Sequence, residues 1–443
     1  MATASSNLWA LSEPHGEVSR NAFEPELEDE GSPLAFGALL LLIFVIYIAP
    51  QVIFPVLEPL HLAKVSAALA VVAYVTWVWR NGAGWTFMSR EVRLMLILIG
   101  IALISIPFSL WPGGSLQYLI DQYSKSIIIF FLVANVLTSV RRYRIFVWAM
   151  SVFAAFNAFQ GTKHYVAGEV WKYGRVLGGA SSIAGNPNDL ALVLNLSIPF
   201  LFYLYETARS MRQRVLIVLL IGIDLGGIIT SFSRGGFLTL VAIVLWTAWV
   251  VGKRKGTGVF LKTCAVVLVC GLVLAVAGPS GYGDRVASIG DMSKDQTGSS
   301  NARWNLMVGT AQGMLLHPLG VGLHMNNVLL HETGYGWEGV HNVYLELGTE
   351  IGIPGLAVLL WLLYRLISSM KEIRLGYEQV PELSALAQAA GGAMVAFVTA
   401  GMFHPVAFHF YLYIVAGLVI ACQQLALRVD RAMEQEAGRA EFG

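Results

Sequence analysis

The residues able to do chemistry fall into three short polar runs, each set against long apolar flanks. The first is Arg175-Val176-Leu177-Gly178-Gly179, followed by Gly185-Asn186-Pro187-Asn188-Asp189. The second is Ser231-Phe232-Ser233-Arg234-Gly235-Gly236. The third is His341-Asn342-Val343-Tyr344-Leu345-Glu346, with Glu350 one helical turn on. Arginine carries a rigid fork of donors that matches phosphate oxygens in pairs. Both arginine runs open an apolar stretch of helical length, and a helix N-terminus turns free N–H groups toward an anion. Two arginines beside two such termini suit a pyrophosphate better than a neutral sugar. A neutral histidine can take a proton from an attacking hydroxyl.

Each residue also has a plainer role. Arg234 can snorkel to lipid headgroups. Asn188 or Asn186 can cap the helix that follows, leaving Arg175 an ordinary surface arginine. A lone histidine near an interface is ordinarily structural. A helix begun at His341 would put His341, Tyr344, Leu345 and Gly348 on one face. Glu346 lies off that face, with Glu350 nearer Glu346, and either acid could orient the histidine or serve as base instead. Arg303 heads an amphipathic stretch and could reach the site, against capping or a surface ion pair. Asp224, inside an apolar run, suggests packing or a hydrogen bond to a neighbouring helix, with a proton relay as the alternative. His404 and His409 could line an acceptor groove, although aromatic-belt packing is the expectation there.

The elements that position these runs are membrane helices. The chain has 443 residues, 56% hydrophobic and only 13% charged, where a soluble protein is nearer a quarter charged. The net charge of +1 gives no basic surface for nucleic acid. Cys264, Cys270 and Cys422 all lie in apolar runs and are expected as buried small side chains, not as disulfides or metal ligands. No CxxC, HExxH or Asp-x-Asp motif occurs, so neither a metal nor a cofactor is expected. A ruler of about 20 apolar residues per span finds about 12 spans, an all-α polytopic bundle. Residues 1–32 form an acidic tail without signal-peptide character, expected to be disordered and cytosolic. Nine spans follow in 33–278, then a large loop in 279–340, three spans in 341–427 and a tail in 428–443. The fourth span, near Ser126–Leu137, is the weakest and could begin near Leu116. The tenth could begin near His341.

Every second connection is basic: Arg80/Arg90/Arg93, Arg141/Arg142/Arg144, Arg209/Arg212/Arg214, Lys253/Arg254/Lys255 and Arg365/Lys371/Arg374. By the positive-inside rule these are cytoplasmic and both termini are inside. Arg175, Arg234 and Arg303 then lie on the opposite side, against the bias. In the long loop, Trp304, Met307, Ala311, Met314 and Leu315 recur at helical spacing. That predicts a helix lying on the bundle, broken at His317-Pro318 and followed by a flexible Gly320-Val321-Gly322 turn.

The ordered set resembles the O-antigen ligase/polymerase family of bacterial envelope enzymes. The match is to Gly185-Asn186-Pro187-Asn188, Ser233-Arg234-Gly235-Gly236, His317-Pro318-Leu319-Gly320-Val321-Gly322 and His341-Asn342-x-Tyr344-Leu345 with Gly352 and Gly355 following. It runs in order from about Arg175 to Gly355. The resemblance implies a metal-independent glycosyltransferase of the bacterial inner membrane, its site facing the periplasm. Its donor is a glycan on undecaprenyl pyrophosphate. Its acceptor is a lipid A core sugar in ligases, or the end of another lipid-linked repeat in polymerases. Carried over by motif, Arg175 and Arg234 hold the pyrophosphate and His341 activates or orients the acceptor hydroxyl. Asn186, Asn188, Arg303, Tyr344 and Glu346 are expected around the substrates. A polysaccharide or lipid transporter is the alternative of another class, since it too needs many spans and intramembrane charge.

Overall fold

The computed structural model describes residues 30–170, 175–178, 182–255, 258, 261–262 and 299–442. The tail up to residue 29, nearly all of the expected ninth span Val259–Ala277, Cys264, Cys270 and the loop up to residue 298 lie outside these. Among the described residues there is no strand. Ten helices are long and apolar enough to cross a membrane, which makes the chain a multi-pass all-α membrane protein.

The helices, in order, are α1 (Pro33–Ile48), α2 (Leu62–Asn81), α3 (Arg90–Ser105), α4 (Pro112–Val136), α5 (Val140–Val166), α6 (Pro187–Glu206), α7 (Met211–Thr230) and α8 (Arg234–Lys255). Then come α9 (Ser299–Leu316), α10 (Asn326–Glu332), α11 (Val343–Glu350), α12 (Gly352–Gly376), α13 (Pro381–Ala400) and α14 (Phe410–Phe442). Serines start several of them. The hydroxyls of Ser32, Ser89, Ser139 and Ser210 each accept a first-turn N–H, of Ala35, Val92, Arg142 and Gln213. The fourth span does begin earlier than its apolar core, at Pro112, and passes through a π-helical turn at Leu119–Tyr123.

Burial sorts the bundle. The apolar windows of α6, α13 and α14 are 78%, 72% and 83% buried, against 22% for the span containing α2 and 33% for α7. The first three form the centre and the last two face lipid. At the basic end, side chains stitch neighbouring helices together. Arg142 donates to the carbonyls of Gly31, Ser32 and Val136, Arg365 pairs with Glu91, and Arg428 donates to Thr138 O. Arg144 meets Glu382, which also accepts from Tyr203.

At the opposite end, α9 to α11 cover the bundle. As expected, α9 stops before His317-Pro318. The turn after it is threaded into two neighbours. Val321 and Gly322 donate to the carbonyls of Thr349 and Glu350, while Leu110 N donates to Val321 O and Ser115 Oγ to Leu323 O. Gly322 has φ +105°, and a Cβ there would lie 2.1 Å from Ser109 Oγ and 2.6 Å from Ser109 Cα. His341 is not on a helix. Asn342 is the N-cap of α11, its Oδ1 accepting from Tyr344 N and Leu345 N at 3.0 Å each. The helix therefore starts at Val343, and a shared face running back to His341 does not form. A break at Ile351 separates α11 from the span α12, so the histidine leads a short helix and not the span itself.

The contact at Gly322 predicts an asymmetry between two glycines. Gly334 also has positive φ, +86°, but nothing lies within 4 Å of its would-be Cβ. Gly334→Ala should carry only the left-handed backbone penalty, about 1–2 kcal/mol. Gly322→Ala adds the overlap with the α3–α4 connection and should lower the thermal denaturation midpoint in detergent distinctly further. Equal midpoints would show that the turn is not clamped there.

Candidate active site

The first wall of the site is the head of α6. Asn186 caps it, Oδ1 accepting from Asn188 N and Asp189 N at 2.9 and 3.0 Å, with Pro187 in the first turn. Asn188 is thus released from capping, and its Oδ1 accepts from Arg175 Nη2 at 2.6 Å and Ser233 Oγ at 2.9 Å. Arg175 also donates from Nε to Ser231 O at 3.2 Å and is 7% exposed. It is therefore a buried, charge-assisted tie between two helix heads, and not a surface arginine.

The second wall is the turn into α8. Ser231, left-handed Phe232 (φ +51°) and Ser233 reverse the chain, and Ser233 Oγ accepts from Gly236 N at 3.1 Å as the helix cap. Arg234 is the first residue of α8 and is half-buried. Glycine is needed beside it: a Cβ on Gly235 would lie 2.8 Å from Phe403 Cβ, and one on Gly236 would lie 2.5 Å from Ala191 Cβ. The head of α8 thereby packs directly on residue 403 and on α6.

The third wall is the strap of residues 401–409 between α13 and α14, lying along α11. Val343 N donates to Gly401 O at 2.7 Å, and Asn342 Nδ2 to Met402 O at 3.3 Å. Tyr344 OH donates to Val398 O at 2.7 Å. These bonds set His341 beside His404. His404 is 2% exposed, its Nδ1 3.7 Å from Asp189 Oδ1. Burial, then the charges of Arg303 and Arg175, push His341 down to about 4. Burial, His341 and the same two arginines push His404 down to about 3. Both rings are neutral at pH 7, and Arg175, Arg303, His341 and His404 lie within one another's electrostatic reach. Among the described residues, His341 Nδ1 is buried without a hydrogen-bond partner.

The acids expected near His341 face elsewhere. Glu346 Oε2 accepts from Ala407 N at 3.1 Å. Glu350 accepts from His324 N at 2.6 Å and Asn326 N at 3.3 Å. They fasten the strap and the 320–326 turn to α11. Asp224 is fully buried on α7, and Ser197 of the neighbouring helix α6 is its hydrogen-bonding neighbour. Among those residues no three His, Cys, Asp or Glu converge as metal ligands.

The residues brought together are Arg175, Asn186, Asn188, Arg303 and His341, with Arg234 at the adjoining helix head. Tyr344 and Glu346 support the strap, their polar atoms taken by main chain. Asp189 joins the site although its role did not stand out in sequence, and His404, read there as a possible acceptor-groove residue or as aromatic-belt packing, instead approaches Asp189. The only signal for His404 was its outer-face position; Asp189 was hidden inside a capping motif.

Burial raises both Glu346 and Glu350 above the ordinary carboxylate range, and the neighbouring Glu350 raises Glu346 further. The folded protein then holds protons that the unfolded chain gives up above about 4.5. Stability should therefore fall as pH rises through that window. Glu346→Gln keeps an oxygen for Ala407 N and removes the second charge, so its thermal midpoint should drop less between pH 5 and 9 than that of the wild type. An equal drop would show that the pair does not share the burden.

No curated protein matches the chain. Residues 215–360 match the family model described as O-antigen ligase. That stretch runs from the first turns of α7 through the Arg234 turn, α9 and the His341 strap contact into α12. Over these residues the chain is similar to the O-antigen ligase family, which supports the resemblance read from its motifs.

Proposed function

We propose that the chain is an O-antigen ligase-type glycosyltransferase. It moves a glycan from undecaprenyl pyrophosphate to an acceptor sugar hydroxyl, such as one of the lipid A core, at the periplasmic face of the inner membrane. The observation that carries this reading is the meeting of a neutral His341 with the fields of Arg175 and Arg303, at the paired heads of α6 and α8. Guanidinium groups and first-turn amides favour a pyrophosphate. The neutral imidazole is the base.

The acceptor oxygen attacks the anomeric carbon. The bond from that carbon to the pyrophosphate oxygen breaks, the electron pair leaves with the pyrophosphate, and the hydroxyl proton passes to His341. Arg175 and Arg234 take up the growing negative charge, so the leaving group needs no divalent ion. Arg303, on the covering helix α9, contributes a third cation. A ligase and a polymerase share this donor and this charge logic; they differ in which hydroxyl enters.

Reconstitution with a lipid-linked donor and each acceptor in turn tests the reading. Transfer should occur with EDTA present, and its loss in EDTA would sink the metal-free chemistry. Arg234→Lys keeps charge but not the fork, and should cost roughly 10²- to 10³-fold in kcat while lipid binding persists. Full activity in an Arg234→Ala, His341→Ala double variant would mean a non-catalytic scaffold. Movement of donor across the membrane without transfer would mean a transporter, and transfer only to a second lipid-linked repeat a polymerase.

A pH profile adds a sharper check. The base is lost as pH falls through the pKa of His341, about 4 in the free protein. A pyrophosphate between Arg175 and Arg303 cancels part of the cationic field, so the imidazole gains proton affinity once donor is bound. The acid limb of kcat should then lie at higher pH than that of kcat/KM. Coincident limbs would remove the arginines from the control of the base.

A further inference from the structure

His404 is a buried imidazole with a carboxylate on one side and a second imidazole in electrostatic reach. The carboxylate is fixed. Asp189 occupies the first turn of α6, where the helix favours negative charge. Its backbone N–H is capped by Asn186 Oδ1, and its Oδ2 accepts from Asn186 Nδ2. That leaves Oδ1 turned to His404 Nδ1 at 3.7 Å. His404 itself cannot swing away. Its strap is bonded to α11 at Gly401, Met402 and Ala407, and Ser126 Oγ donates to Phe408 O at 2.8 Å. Gly235 closes the remaining side against Phe403.

We propose that Asp189 and His404 form a positioning pair for His341, resting on the glycosyl-transfer reading above. Asp189 holds the proton of neutral His404 on Nδ1, which leaves the Nε2 lone pair as an acceptor. When His341 takes the acceptor's proton it becomes a cation among Arg175 and Arg303, the least favourable place for one. His404 Nε2 accepts the new N–H, and the Asp189 carboxyl backs the ring from 3.7 Å on its Nδ1 side. His404, 2% exposed, acts through His341 and not on substrate. This gives the Asn-Pro-Asn-Asp run two jobs: Asn188 sets the arginine and Asp189 sets the imidazoles.

The geometry makes Asp189→Asn diagnostic. The amide it introduces must turn its oxygen toward the Asn186 NH2, so its own NH2 faces His404 Nδ1. His404 is then forced to carry its proton on Nε2, pointing a donor where an acceptor is needed. In 15N-histidine spectra of the purified full chain in lipid nanodiscs, wild-type His404, assigned by its loss in His404→Gln, should be the Nδ1–H tautomer. Asp189→Asn should convert it to Nε2–H. In transfer assays with lipid-linked donor, Asp189→Asn and His404→Gln should each lower kcat roughly 10- to 100-fold, less than the loss of the general base itself, about 10²- to 10⁴-fold. KM for the donor should stay within about twofold, since uniform binding is untouched. The double variant should be no slower than the worse single one, because the residues act as a unit. Unchanged tautomer and kcat in a wild type that does transfer would overturn the pair. So would losses that multiply in the double variant and raise KM with them, the pattern of general loosening. A tautomer switch in Asp189→Asn, alongside a wild type that transfers no glycan, would overturn the transfer reading and leave the pair standing.

Discussion

The site depends on one buried guanidinium. Arg175 comes from an extended segment, yet it bonds Asn188 at the head of α6 and the Ser231 carbonyl at the end of α7. A charge enclosed in a bundle is tolerated only when its donors are used, so the two helix ends cannot drift apart without stranding it. Ser233 shares the same Asn188 oxygen, which brings the head of α8 into the arrangement. Three helix ends are thereby fixed around a cation before any substrate arrives. Preorganised charge of this kind is what a leaving pyrophosphate would use, because nothing has to reorient as the bond breaks.

The covering elements follow from a different constraint. A histidine in a loop can serve as a base only if the loop is held. Here the hold is given by α11, only eight residues long. It carries Asn342 at its start and Glu346 and Glu350 along its length. Its bonds run outward to the strap at 401–407 and to the turn at 321–326. The acids serve as anchors, and their shared burial makes that anchoring dependent on protons.

How much was legible in sequence follows from the range of each interaction. Spans, the helix α9 and the break at His317-Pro318 depend on local spacing and were readable, but the face of α9 was not: Leu306 and Thr310 are buried, whereas Trp304 and Leu315 of the expected apolar face are exposed. The arginines stood out because they oppose the charge bias of the connections. Which asparagine caps α6 was open, since either satisfies the local rule; it is settled by Arg175, which needs Asn188. His404 was hidden for the same reason. Its partners, Asp189 and His341, are 215 and 63 residues away in the chain, and no local pattern distinguishes an imidazole paired across the fold from one in an aromatic belt. Extending the helix back to His341 failed on one side chain, because Asn342 caps where the periodicity would have continued.

The way the 320–326 turn is tied down bears on how such a chain can diversify. That turn is bonded into α11 and the α3–α4 connection, and Asn326 Oδ1 accepts from Val340 N to close the segment between them. Residues 327–339 therefore form a hairpin-like cassette with both ends pinned. Inside it, Gly334, Gly336 and Gly339 have no neighbour within 4 Å of a would-be Cβ, and Trp337 is 61% exposed. Leu329 and Leu330 are buried and Tyr335 lies against Gly309 of α9, so the freedom to vary lies at the exposed tip around Gly334, Gly336, Trp337 and Gly339. Exchange of that tip would leave the Arg175–Asn188 and Asn342–Met402 contacts in place, so the surface there and the buried polar site are separable pieces of chain.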